Sequence, residues 1–157
     1  MKLKNKTILF LGSSVTYGSA AGGISFVDMI GELCGANCIK EAVSGTTLVD
    51  INETSYVSRL KAIAPDIHPD LFVCQLSTND AARKLDLHEI EKAICSILRY
   101  AKNTFDCPIV FYTGTYYEND VYMKMVALLY DLKKKYDFYI LDLYHDKEMR
   151  DVSETDY

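Results

Sequence analysis

Five short apolar runs punctuate the chain, at Thr7–Leu11, Ile39–Val43, Leu71–Leu76, Ile109–Thr113 and Phe138–Leu143. Their apolar positions are continuous rather than alternating, the pattern of strands covered on both faces. Between them the period changes. Leu87, Ile90, Ala93, Ile94, Ile97, Leu98 and Ala101 share one helical stripe, and Asp86 with Glu89 makes an acidic variant of a capping box at its start. From about Tyr117 to Lys135 the spacing returns at Val121, Met125, Leu128, Leu129 and Leu132, closing on Lys133, Lys134 and Lys135, the charge a helix C-terminus favours. Weaker patterns predict helices over Phe26–Leu33 and about Tyr56–Ala64, the latter stopped before Pro65.

Alternation of strand and helix predicts parallel strands joined by right-handed crossovers. The expected class is α/β: a three-layer α/β/α sandwich around a flavodoxin-like five-stranded parallel sheet in the order 2-1-3-4-5. The length of 157 residues, with 49% hydrophobic and 25% charged positions and no repeat or linker, suits one domain spanning 1–157. Charge then narrows the partners. Seventeen basic against 22 acidic residues leave a net charge of -5, the wrong sign for neutralising the phosphates of a nucleic acid or an anionic membrane.

No stretch reaches the ~18 apolar residues of a membrane span, and the run after Lys2, Lys4 and Lys6 is shorter than the ~7–15 residues of a secretory signal. A cytoplasmic location is therefore expected; the oligomeric state is not readable. The five cysteines are odd in number and form no C-x-x-C pair, so they read as reduced and mostly buried small hydrophobes. Cys34 and Cys38 have no second ligand cluster nearby in sequence, and no metal site is expected from them.

In an open parallel sheet ligands sit at the carboxyl ends of the strands. There the chain carries Gly12-Ser13-Ser14-Val15-Thr16-Tyr17-Gly18 after the first run, Ser44-Gly45-Thr46-Thr47 after the second and Ser77-Thr78-Asn79-Asp80 after the third. In the order 2-1-3 these loops become neighbours. They offer a hydroxyl nucleophile, a glycine N–H that a ligand can approach closely and a side-chain amide donor, the parts of an oxyanion hole beside a nucleophile.

These blocks resemble the SGNH or GDSL hydrolase superfamily of esterases, lipases, thioesterases and carbohydrate deacetylases, over residues 7 to about 146. Gly12-Ser13-Ser14 is similar to the first block with Ser13 in place of Asp, Gly45 to the second, and Ser77-Thr78-Asn79-Asp80 to the third with Ser77 in place of Gly. The resemblance implies a serine esterase or acylhydrolase acting on a small-molecule ester, thioester or O-acetyl group, without metal or organic cofactor. Ser14 would be the nucleophile, and the oxyanion hole would be the Ser14 and Gly45 N–H groups with the Asn79 amide. Asp142-Leu143-Tyr144-His145 fits the fourth block, Asp-x-x-His, yet runs directly out of the fifth strand, and Asp146 stands where the family usually has Pro. The expectation is therefore that the acid–base histidine lies beyond Tyr157. A last helix would then be missing, leaving apolar surface on one sheet face uncovered.

Blander uses exist for the same residues. Ser13 and Ser14 could cap a helix, Gly45 and Asn79-Asp80 could serve turns, and Asp80 is expected to brace its loop. His68 and His88 read as surface residues, and the aromatic stretch Phe111–Tyr117 as packing. The hydroxyl-rich first loop could alternatively cradle the phosphate of flavin mononucleotide in an electron-transfer protein, although no G-x-G-x-x-G or P-loop pattern accompanies it. A non-catalytic binding module that keeps the pocket is a third reading.

Overall fold

Strands β1 (Thr7–Gly12), β2 (Asn37–Ala42), β3 (Leu71–Gln75), β4 (Ile109–Tyr112) and β5 (Tyr139–Leu141) pair in parallel in the order β2-β1-β3-β4-β5, the topology expected from the alternation. The structure is a computed structural model and describes residues 2–149. Helices α1 (Ser14–Tyr17), α2 (Phe26–Cys34), α3 (Tyr56–Ile63), α4 (Asn79–Ala82), α5 (Leu87–Phe105) and α6 (Asp120–Lys133) make the connections. The single turns α1 and α4 lie within segments that read as loops. β2 starts two residues before its predicted run and ends one residue before it, and the Lys40 and Glu41 inside it are tolerated by an edge strand.

Strand alternation divides the core. Leu9, Leu11, Phe72, Cys74 and Phe111 are buried in the cluster that α3, α5 and α6 supply, including the whole predicted α5 stripe from Ile90 to Ala101. Asp86 caps α5, its carboxylate accepting from the His88 and Glu89 N–H groups. On the other face Ile8 and Phe10 pack against Val27, with Phe26 and Ile30 beside it. Ser25 and Asp28 form a full capping box on α2 that the sequence reading passed over.

Helices therefore cover both faces, but unequally: among the described residues, α2 is the helix packed on the second face. A groove of about 1280 Å³ runs beside it over Phe10, Val73, Val110, Tyr112 and Leu141. Tyr139 and Leu141 of β5 remain 62% and 54% exposed. The expectation of a further acid–base residue and helix beyond Tyr157 lies outside the described residues. The cysteine expectation needs correcting: only Cys74 is buried, Cys34 is exposed at the end of α2, and Cys38, Cys95 and Cys107 are half-buried. No helix among the described residues is long and apolar enough to cross a membrane.

Candidate active site

Gly12 ends β1 at a place where only hydrogen fits. A Cβ there would lie 1.9 Å from Thr16 Oγ1 and 2.8 Å from Gln75 Oε1. That crowding is a buried polar network: Gln75 Oε1 accepts from the Ser13 N–H at 2.9 Å, from Ser13 Oγ at 3.3 Å and from Thr16 Oγ1 at 2.8 Å, and Thr16 also bonds the Tyr112 hydroxyl. Burial pushes the Tyr112 phenol well up, so it stays a neutral donor. Ser13 and Thr16 thus turn inward and anchor the turn, while Ser14, the first residue of α1, is partly exposed at the carboxyl end of β1. Ser13 precedes α1 but its side chain caps nothing. With two hydroxyls of the first loop spent on Gln75, the loop is poorly furnished as a phosphate cradle.

The other two loops are tied to it by side chains. Arg59 of α3 is buried, and its Nη2 donates to the Gly12 carbonyl at 2.9 Å and to Thr46 Oγ1 at 3.0 Å. Its Nη1 reaches the Glu41 carbonyl at 3.0 Å and its Nε the Thr54 carbonyl at 2.7 Å. Asn79 Nδ2 donates to the Thr46 carbonyl at 2.8 Å, which leaves the second amide hydrogen for another acceptor. Ser77 Oγ accepts from the Asn79 N–H at 3.0 Å. Asp80 does brace its loop, as expected: its buried carboxylate accepts from the Leu48 and Val49 N–H groups at 3.0 and 3.1 Å. Burial raises the Asp80 carboxyl more than those bonds lower it. Gly45 is exposed with φ of +78°, a left-handed conformation that favours glycine, and its carbonyl accepts from Arg83 Nη2 at 2.8 Å.

The fourth block comes to the same end of the sheet. Thr113 Oγ1, just past β4, accepts from the Leu143 and Tyr144 N–H groups, both at 2.9 Å. Tyr144 packs at 5.8 Å from the Tyr122 ring, whose hydroxyl donates to the Leu76 carbonyl at the end of β3. Held in this way, Asp142 and His145 pair: His145 Nδ1 lies 2.6 Å from Asp142 Oδ2, and Asp142 Oδ1 accepts the His145 backbone N–H at 2.9 Å. The Asp142 side chain is 16% exposed and that of His145 64%. Burial would raise the Asp142 carboxyl, but hydrogen bonds from Tyr130 and His145 outweigh it and hold the carboxyl below its ordinary value.

Ser14, Gly45 and Asn79 therefore stand on three loops stitched to one another, with the Asp142–His145 pair on a fourth strand end. His68 and His88 are exposed and belong to none of this. Gln75, Arg59 and Tyr130 went unread in the sequence. A polar residue closing the apolar run Leu71–Leu76 and an arginine between Val57 and Leu60 on a buried helix face were the available signals. Nothing local marks Tyr130.

No family model matches the chain, and no curated protein matches it in sequence. Solved structures do match in fold. The SGNH-hydrolase family esterase AlinE4 superimposes with a TM-score of 0.77 at 20% identity, covering 97% of this chain and 82% of its own. A family two carbohydrate esterase from Clostridium thermocellum, in complex with cellohexaose, gives 0.73 at 16% identity over 92% of this chain and 55% of that one. A G-D-S-L family protein from Desulfitobacterium hafniense DCB-2 gives 0.71 at 18% identity over 88% and 77%. The fold is the one these proteins share.

Proposed function

We propose that the chain is a serine hydrolase of the SGNH type that cleaves a carboxylic ester, a thioester or an O-acetyl group through an acyl-enzyme on Ser14. The observation that carries this reading is the Asp142–His145 hydrogen bond, formed just past β5 at the same end of the parallel sheet as the Ser14 and Asn79 loops. The pair supports reading Asp142-Leu143-Tyr144-His145 as the acid–base block. Asp142 engages Nδ1 and leaves Nε2 as the base, the division of labour that a Ser-His-Asp arrangement requires.

Ser14 Oγ attacks the carbonyl carbon while His145 Nε2 takes its proton. The tetrahedral oxyanion is held by the Ser14 and Gly45 N–H groups and by the uncommitted N–H of Asn79, donors fixed before the reaction starts. Collapse expels the alcohol or thiol, which receives the proton from His145, and a water activated by the same imidazole releases the acid.

Hydrolysis of p-nitrophenyl acetate by the parent chain, Ser14→Ala and His145→Ala is the test, with fluorophosphonate labelling located by mass spectrometry. Expected are loss of turnover to background in both variants and a covalent adduct on Ser14 alone. Full activity in Ser14→Ala would overturn the nucleophile assignment. Full activity in His145→Ala would overturn the base assignment. A folded parent that neither turns over nor labels would support a binding module.

A further inference from the structure

We propose that Tyr130 is a positioning residue for this site: its phenol holds the Asp142 carboxylate in the orientation that binds His145. The inference rests on the esterase reading for its consequence in catalysis and on geometry for its substance. Tyr130 stands near the end of α6, and its hydroxyl donates to Asp142 Oδ2 at 2.6 Å, the same oxygen that faces His145 Nδ1 at 2.6 Å. Oδ1 is meanwhile taken by the His145 backbone N–H. Both carboxylate oxygens are thus fixed, and the χ angles of Asp142 have nowhere to turn.

The arrangement answers a weakness in the sequence. Asp142 and His145 lie only three residues apart on the short segment that follows β5, and His145 is largely exposed. In such a place a carboxylate would otherwise be free to rotate toward water, letting the imidazole change tautomer. The contact comes from a different element, twelve residues earlier, which is itself well seated: Leu129 and Leu132 of α6 are buried on either side of Tyr130. The hydrogen bond to a carboxylate is also the first cause that lifts the Tyr130 phenol to about 12, so it remains a proton donor throughout the working pH range.

Tyr130→Phe removes the hydroxyl and keeps the ring. The expected result is a fall in kcat of roughly three- to tenfold with KM unchanged, the scale of one partly exposed charge-assisted hydrogen bond. In an Asp142→Asn background the same substitution has no further effect, because the hydroxyl acts through the carboxylate. A kcat equal to the parent's, a loss carried by KM, or an equal loss in both backgrounds would overturn the proposal. ¹⁵N-histidine NMR at mildly alkaline pH reads the same arrangement without turnover. The ratio of Nδ1–H to Nε2–H tautomer at His145 should drop at least about threefold in Tyr130→Phe. An unchanged ratio overturns the positioning role even if the parent proves inactive; a fall in the ratio in a folded parent that neither turns over nor labels would sustain it and sink the esterase reading instead.

Discussion

Asn79 illustrates how one side chain does two jobs at this site. One amide hydrogen is committed to the Thr46 carbonyl, which fixes the plane of the amide, and in the proposed reaction the other serves the substrate oxyanion. Asn79→Ala is therefore expected to lower kcat by about 10²–10³, the usual worth of an oxyanion donor, while far-UV circular dichroism stays that of the parent. A change confined to KM would assign Asn79 to substrate binding alone. Of the candidate site residues, Ser14, Gly45 and Asn79 stood out in the sequence because each follows an apolar run and matches a short motif. Gln75, Arg59 and Tyr130 were not. Their partners lie 62, 47 and 12 residues away respectively, at Ser13, Gly12 and Asp142. Hydrogen bonds between distant segments leave no periodicity to detect.

Elements are joined here by charged residues at their ends. Asp28 in the first turn of α2 accepts the Ser25 N–H at 2.8 Å and Lys40 Nζ of β2 at 2.6 Å. The bond from Lys40 is the largest influence holding its carboxyl below the ordinary 3.8. A carboxyl whose folded value is depressed stabilises the fold above its unfolded value, and that contribution disappears as pH falls through the folded one. Chemical denaturation of the parent and of Asp28→Asn across pH 2 to 6 should show the difference between them shrinking as pH drops below about 4. A difference independent of pH would mean that Asp28 acts only as a neutral cap. The strand and helix order was readable because both periods are strong. The single turns α1 and α4 were not, since four residues are too few to display a period.

At the scale of the molecule the sheet is lopsided, and neighbouring residues on β4 report it. Phe111 faces α5 and α6 and is fully buried; Val110 faces the groove and is partly open. Phe111→Ala should cost about 3–5 kcal/mol in urea unfolding, and Val110→Ala under about 1 kcal/mol. Equal losses at the two positions would show that the groove side is packed as tightly as the other. Among the described residues the groove presents apolar side chains, Leu141 of β5 among them.

The sequence by itself determined the class and the strand order, and it pointed to the loops that the proposed chemistry uses. Those follow from local periodicity, from the handedness of crossovers and from residue types that tolerate few substitutes at a strand end. Only the tertiary structure decided that Asp142 and His145 pair, that Arg59 and Gln75 tie the loops together, and that α2 shares its face of the sheet with an open groove. Each depends on which side chains meet across the sheet, and the free energy of such a contact resides in the pair rather than in either segment read alone.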